Sequence, residues 1–150
     1  MEPVILQTIE VHCSPQTAFD HFTQQDLLET FFCVEAEVEA VVGGKYELAW
    51  DPPNKPDSAT IGCRITALAE PSLLAFDWKG PPQFEATMNV AEPLTHVVVS
   101  FYPLAGDRTR VLIVHSGWRP GEEWQQARDY FDRAWQIVLE ALESTIAGEE

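Results

Sequence analysis

The segment from Gly121 to Ala147 constrains this chain more than any other, because an apolar face repeats along it at helical spacing without interruption. Trp124, Ala127, Phe131, Ala134, Trp135, Val138, Leu142 and Ile146 recur at steps of three and four, which places them on one side of a 3.6-residue helix. Glu123, Gln126, Asp129, Asp132, Arg133, Gln136, Glu140 and Glu143 occupy the other side, as an amphipathic helix requires and a membrane span does not. At about 1.5 Å per residue the helix runs roughly 40 Å, long enough to cross a small sheet. The chain before it is therefore expected to supply that sheet. Pro120 and Gly121 break the preceding strand, Glu122 and Glu123 suit the positive end of the helix dipole, and Gly148 is expected to stop the helix. Asp129 and Arg133 have the spacing of an i,i+4 ion pair.

The preceding residues read as strands joined by short turns. Val4 to Val11 alternates, with Ile5, Ile9 and Val11 on one face. Ser14 and Pro15 then start a short helix, as N-cap and first helical residue, with Ala18, Phe19 and Phe22 on its buried side. Asp26 and Glu29 have capping-box spacing and predict a second short helix over Leu27 to Phe32. From Cys33 to Val42 the alternation is nearly strict, with Val34, Ala36, Val38, Ala40 and Val42 facing in and Glu35, Glu37 and Glu39 facing out. Gly43-Gly44 closes a hairpin that returns through Tyr46, Leu48 and Trp50. Asp51 to Ser58, rich in proline, is loop.

Ile61 to Leu68 predicts another strand with Ile61, Cys63, Ile65 and Ala67 on one face, and Leu74, Phe76 and Trp78 share a face of the next. After the turn Lys79-Gly80-Pro81-Pro82, strands are expected over Phe84 to Val90 and Val97 to Phe101. Ala105-Gly106-Asp107 makes a tight turn into a final strand, Thr109 to Gly117, which sets Val111, Ile113 and His115 opposite Arg110, Leu112 and Val114. Segregated strands and helices in this order mean α+β. A bent antiparallel sheet, eased by glycines such as Gly62 and Gly117, is expected to wrap the long helix, and a curved sheet against a straight helix tends to leave a cavity.

Charge and cysteines narrow the function. With 24 Asp and Glu against 9 Lys and Arg, the formal net charge of -15 repels phosphate backbones and anionic lipid, so nucleic acid and membrane insertion are not expected. The chain of 150 residues reads as one domain, and its 45% hydrophobic content can fill a core. Cys13, Cys33 and Cys63 are widely spaced and read as free thiols of a reducing compartment. The start Met1-Glu2-Pro3 lacks the pattern of a signal peptide, and a cytoplasmic location is expected.

Ser14-Pro15 followed by Ala18-Phe19, the Gly43-Gly44 turn, Phe76-Asp77-Trp78, Thr109 with Val111, His115-Ser116-Gly117-Trp118 and a Trp-bearing last helix resemble the START-like, helix-grip proteins of the SRPBCC superfamily. Within it the chain looks most like homologues of the heat-shock-protein-ninety ATPase activator. The resemblance spans nearly the whole chain, residues 1-150 as a single helix-grip domain, and rests on spacing and order. It implies a curved antiparallel sheet of about six to seven strands wrapped around the long C-terminal helix, with a hydrophobic cavity between them. It also implies a function among those of such proteins, which bind lipids or polyketides, catalyse cyclisation or dehydration, or assist a chaperone. A fold of this kind licenses a pocket and not a reaction.

The candidate pocket residues are Trp50, Phe76, Trp78, Trp124, Phe131 and Trp135, an aromatic set on faces expected to converge, together with His115 on the inner face of the last strand. They are suited to an apolar or aromatic small molecule, a lipid, polyketide or aromatic metabolite; a filled aromatic core is the competing arrangement. His115 is the single weak catalytic candidate, a general acid or base working with a carboxylate such as Glu47 or Asp77 in a cyclase or dehydratase, or else a hydrogen-bonded core histidine. Arg64 and Asp77 alternate onto the outer face. Ser116 lacks a nucleophile elbow, His12, His21 and His96 have no metal-ligand spacing, and Gly43-Gly44-Lys45 lacks the rest of a phosphate loop, so neither metal nor cofactor is expected. The leading expectation is a small-molecule binding protein. The alternatives are the enzyme just described and a chaperone accessory that docks a basic partner protein on its acidic surface.

Overall fold

The computed structural model describes residues 3–54 and 59–149. Among the described residues seven strands and four α-helices follow one another as β1 (Ile5–Val11), α1 (Pro15–Thr23), α2 (Gln25–Phe31), β2 (Glu35–Val38), β3 (Tyr46–Ala49), β4 (Ile65–Ala69), β5 (Leu73–Trp78), α3 (Glu85–Met88), β6 (Thr95–Leu104), β7 (Arg108–Ser116) and α4 (Glu122–Gly148). Five strands form an antiparallel sheet in the order β1-β7-β6-β5-β4, and β2 pairs with β3. Two isolated bridges, Lys45 to Arg64 and Ala49 to Ala59, carry the hairpin on from the β4 edge. The result is the expected α+β helix-grip arrangement, with the sheet continued by a hairpin and gripping a long terminal helix.

Period-2 alternation supplies the inner face. Ile5 and Val11 of β1, Val111, Ile113 and His115 of β7, Val97, Val99 and Phe101 of β6, and Leu74, Phe76 and Trp78 of β5 are all buried. Onto this face α4 lays Ala127, Phe131, Trp135, Leu139, Leu142 and Ile146. Leu139 belongs to the stripe although the sequence reading passed over it, while Trp124, Ala134 and Val138 sit at its half-buried margin. Gln7 fixes the edge of the grip, its Nε2 donating to the backbone oxygen (3.1 Å) and Oδ1 (2.9 Å) of Asp132. Among the described residues no helix is long and apolar enough to cross a membrane.

Ser14 caps α1, accepting from the Thr17 N–H, with Pro15 at the first helical position. Several local expectations give way to tertiary contacts. The capping box of α2 does not form: Gln24 is the N-cap residue without a side-chain cap, and Glu29 turns instead to accept from Ala36 N at 2.9 Å, tying α2 to β2. The strand expected over Cys33 to Val42 is only Glu35–Val38; Ala36 is buried, but Val34 stands exposed although its N–H still bonds Ala49 O, and Ala40 and Val42 stand exposed where the chain leaves the ladder for the turn. The strand expected from Ile61 begins at Ile65, after a turn through Gly62 at φ +92°. Phe84 to Val90 is no strand: Pro81 and Pro82 start a 3₁₀ turn, and Glu85–Met88 continues as α3. Helix α4 runs through Gly148 rather than stopping at it, and Asp129 lies 3.5 Å from Arg128 instead of pairing with Arg133. Lys55 to Ser58, part of the expected loop, lie outside the described residues.

Candidate functional site

An apolar recess of about 310 Å³ opens between the end of β5, the start of the segment leading into β4, and the middle of α4. Its walls come from three places. Helix α4 presents Tyr130, Phe131, Ala134, Trp135 and Val138, three-and-four neighbours on one face. The end of β5 and the turn after it present Trp78, Lys79, Gly80, Pro81 and Pro82, while Phe32, Trp50, Ala59 and Thr60 close the third side.

Several wall residues are fixed by specific contacts. Trp50 stands one residue beyond β3, where its ring leans on Phe32 with centroids 6.0 Å apart and its Nε1–H donates to the Phe32 carbonyl at 2.7 Å. It is 41% exposed, so it forms a lip and not a floor. Thr60 accepts from Leu48 N (3.0 Å) and donates to Tyr46 O (3.2 Å), which uses its hydroxyl inside the hairpin. Asn89 clamps Gly80 through both backbone groups, accepting its N–H at 2.7 Å and donating to its carbonyl at 3.0 Å. A Cβ on Gly80 would come within 2.6 Å of the Met88 sulfur, so a larger residue here would push the Met88 side chain aside. Lys79 donates to the Ile61 carbonyl at 2.6 Å, and among the described residues no carboxylate lies within ion-pair reach of it.

Of the seven residues singled out from sequence, Trp50, Trp78, Phe131 and Trp135 meet at this recess. Phe76 does not: it stacks on Tyr46 with centroids 4.1 Å apart, beneath Trp78. Trp124 lies two turns before Phe131, against Trp118 and under the Arg119 guanidinium at 5.1 Å. His115 is also absent from the wall. It lies fully buried behind Phe131 and Trp135, where its Nδ1 accepts from Trp135 Nε1 at 3.0 Å and its Nε2 lies 3.0 Å from Thr95 Oγ1. Because an indole N–H only donates, Nδ1 is unprotonated and Nε2 carries the hydrogen. Burial, reinforced by nearby His96, lowers its pKa to about 3, so the ring is neutral at physiological pH.

Neither carboxylate suggested as its partner stands with it. Glu47 accepts from Gly62 N at 2.8 Å, and Asp77 alternates to the other face of β5, opposite His96. Sequence reasoning missed Phe32, Lys79 and Tyr130. Phe32 looked like a helix end, and Lys79 like part of a turn, though a lone cation directly after Phe76-Asp77-Trp78 was the available signal. Burial pushes the Cys33 and Cys63 thiols up to about 12, with Glu29 adding to it at Cys33, so both are inert. Among the described residues no group of His, Cys, Asp and Glu could hold a metal ion.

The family model described as activator of Hsp90 ATPase homolog 1-like protein matches residues 12–147. The chain belongs to this family. Solved structures share the family's fold at low identity. Protein MLL2253 from Mesorhizobium loti is 18% identical over 99% of both chains with a TM-score of 0.78. The Aha1 dimer from Colwellia psychrerythraea is 17% identical, with 97% of this chain and 96% of that one covered and a TM-score of 0.74. An HSP90 activator from Plasmodium falciparum is 18% identical, with 97% of each chain covered and a TM-score of 0.72. No curated protein matches the chain. Family membership accounts for the grip of sheet on helix and leaves the contents of the recess to its own residues.

Proposed function

We propose that this member of the family is a small-molecule binding protein that holds an apolar or aromatic ligand against α4. The observation that carries the reading is the recess itself, walled by the rings of Trp50, Trp78, Trp135, Phe32 and Phe131. Rings so arranged bury a flat molecule on both faces, and the internal hydrogen bonds of Trp50, Trp135 and Thr60 keep the walls in place before a ligand arrives. His115 gives the cyclase or dehydratase alternative no support, because both of its ring nitrogens are engaged and it stands behind the wall.

A thermal-shift screen of aromatic metabolites, polyketides and lipids tests the reading. A ligand at a hundred times its Kd adds about 2.7 kcal/mol, which in a chain of this size raises Tm by roughly 5–10 °C. Ala134→Trp, which fills the recess from the helix side, should abolish the shift. A screen without a single shift, together with a stabilised Ala134→Trp protein, would mean that the space is only imperfect packing.

A second reading has its own observation. Glu35, Glu37 and Glu39 line the exposed side of the β2 region, and the family takes its description from an Hsp90 ATPase activator. A chaperone accessory would dock a basic surface there, with affinity that weakens as salt is raised. Calorimetry against purified Hsp90 at low and high ionic strength decides this reading; no heat at low salt rejects it.

A further inference from the structure

The polar atoms of the recess are unequal in kind. Thr60 is committed within the hairpin, Trp50 Nε1 to Phe32 and Trp135 Nε1 to His115. Three side chains of the wall keep free capacity among the described residues. Trp78 is 2% exposed, and its buried Nε1–H has no acceptor. The Lys79 ammonium spends one hydrogen on Ile61 O and has no carboxylate within 4 Å. The Tyr130 hydroxyl, on an exposed residue at the rim, has no protein partner. An indole N–H and an ammonium only donate, and a phenol can donate. The indole N–H lies sealed beneath the surface, so the wall offers an occupant the Lys79 ammonium and the Tyr130 hydroxyl, and its one full charge is positive in a protein with 24 acidic and 9 basic side chains.

Position adds to chemistry. Lys79 and Ala59 also belong to a second, shallower depression of about 580 Å³, lined further by Ile61, Glu85 and Asn89. The lysine thus stands on the boundary between an aromatic chamber and an open, wetter one. A molecule with a flat body and one charged end fits such a boundary, the body in the chamber and the end on the ammonium. The chamber's volume lies at the lower limit of small-molecule pockets, which span roughly 300–1,000 Å³, and so suits one or two fused rings better than an acyl chain.

We propose that the recess is built for a small aromatic monocarboxylate, its ring laid against Trp78 and the Phe131–Trp135 face of α4 and its carboxylate bound by Lys79. This rests on the reading of the recess as a ligand site and specifies the ligand class. A carboxylate supplies acceptors only, which is what the uncommitted Lys79 donor calls for; a ligand ammonium would meet like charge at Lys79 and find no carboxylate among the residues lining the recess.

Calorimetry on the full chain with three probes of one shape tests it: 2-naphthoate, 2-naphthylmethanol and 2-naphthylmethylammonium. Naphthoate should bind about tenfold or more tighter than the alcohol, as a charge-assisted hydrogen bond implies, and the ammonium most weakly. Lys79→Gln should bring naphthoate down to the level of the alcohol, and Ala134→Trp should remove binding of both. Equal affinity for naphthoate and alcohol, or a carboxylate preference that survives Lys79→Gln, overturns the proposal while leaving the recess as a ligand site. Binding that survives Ala134→Trp overturns the placement. Absence of binding by all three overturns the proposal and the reading beneath it together.

Discussion

His115 shows how one residue can be legible in position and not in role. Alternation along β7 placed it correctly on the inner face, but its partners come from β6 and α4, far away in sequence. The chain of contacts runs from Trp135 Nε1–H to His115 Nδ1, then from Nε2–H to Thr95 Oγ1, which lies 3.4 Å from Trp78 O. It joins the helix to three strands behind the recess. Its folded pKa of about 3 lies below the ordinary 6.5, so the unfolded chain takes up a proton first as pH falls. Stability is therefore fully present above about pH 6.5 and drops by roughly 1.4 kcal/mol per pH unit down towards the folded value. His115→Asn keeps a short polar group at this site but does not titrate. Urea melts from pH 7 to pH 4 should show it less stable than the parent at neutral pH and less sensitive to acid; parallel curves would mean that other groups set the acid limit.

Trp135 faces both the relay and the recess, which makes two substitutions informative. Trp135→Phe keeps most of the ring but leaves the buried His115 Nδ1 without its donor, costing about 1–3 kcal/mol. Trp135→Ala also removes the packing against Phe32 and Trp78 and should cost about 3–5 kcal/mol. Denaturant unfolding separates them. Equal losses would show that the hydrogen bond, and not the ring, dominates at this position.

Among the elements, those read correctly carry a long periodic pattern, and those misread depend on a contact beyond their own residues. Helix α4, β5 and β7 show many turns of 3.6-residue or 2-residue repetition, and their buried faces follow it. The capping box failed because Glu29 reaches β2, and the helical turn that Pro81 and Pro82 start in place of the Phe84 to Val90 strand is held where Asn89 folds back to clamp Gly80. Neither partner can be found by local spacing. The recess was half legible for the same reason: Trp78, Phe131 and Trp135 lie on periodic faces, whereas Phe32, Lys79 and Tyr130 reach it from a helix end, a turn and the helix flank.

The hairpin glycines give a test at this scale. Gly43 lies at φ +86° with nothing near its missing Cβ, so Gly43→Ala pays only for a left-handed backbone, about 1–2 kcal/mol. Gly44 does not need a left-handed φ, but its added Cβ would run into the Glu39 carbonyl oxygen and come within 2.9 Å of Glu39 Cβ and the Val41 carbonyl oxygen, where backbone has to move. Gly44→Ala should therefore cost at least as much, about 1–3 kcal/mol, and should loosen the β2–β3 ladder in hydrogen exchange. If Gly43→Ala alone disturbs the ladder, conformational preference and not crowding shapes this loop.

At the scale of the whole molecule, charge is the dominant fact that no single contact explains. Among the described residues the charge pairs are few and peripheral: Glu10 with Arg108 and Arg110, Glu37 with Lys45, and Asp129 with Arg128, each at an at least partly exposed position, besides the His21–Glu149 contact. Exposed pairs of this kind contribute about 0–1 kcal/mol each. Against them stands the mutual repulsion of a chain with a net charge of -15, which is relieved when unfolding spreads the charges apart. Salt weakens both effects, but the repulsion sums over many more separations than the pairs do. As the screening length shortens from about 30 Å at 0.01 M salt to roughly 3 Å at 1 M, repulsion between distant acidic groups disappears first. Tm should therefore rise between low and moderate sodium chloride, and a drop would mean that the ion pairs outweigh the net charge. The same screening should weaken naphthoate at Lys79 while Tm rises, so the two measurements must move in opposite directions if one local cation works against an acidic whole.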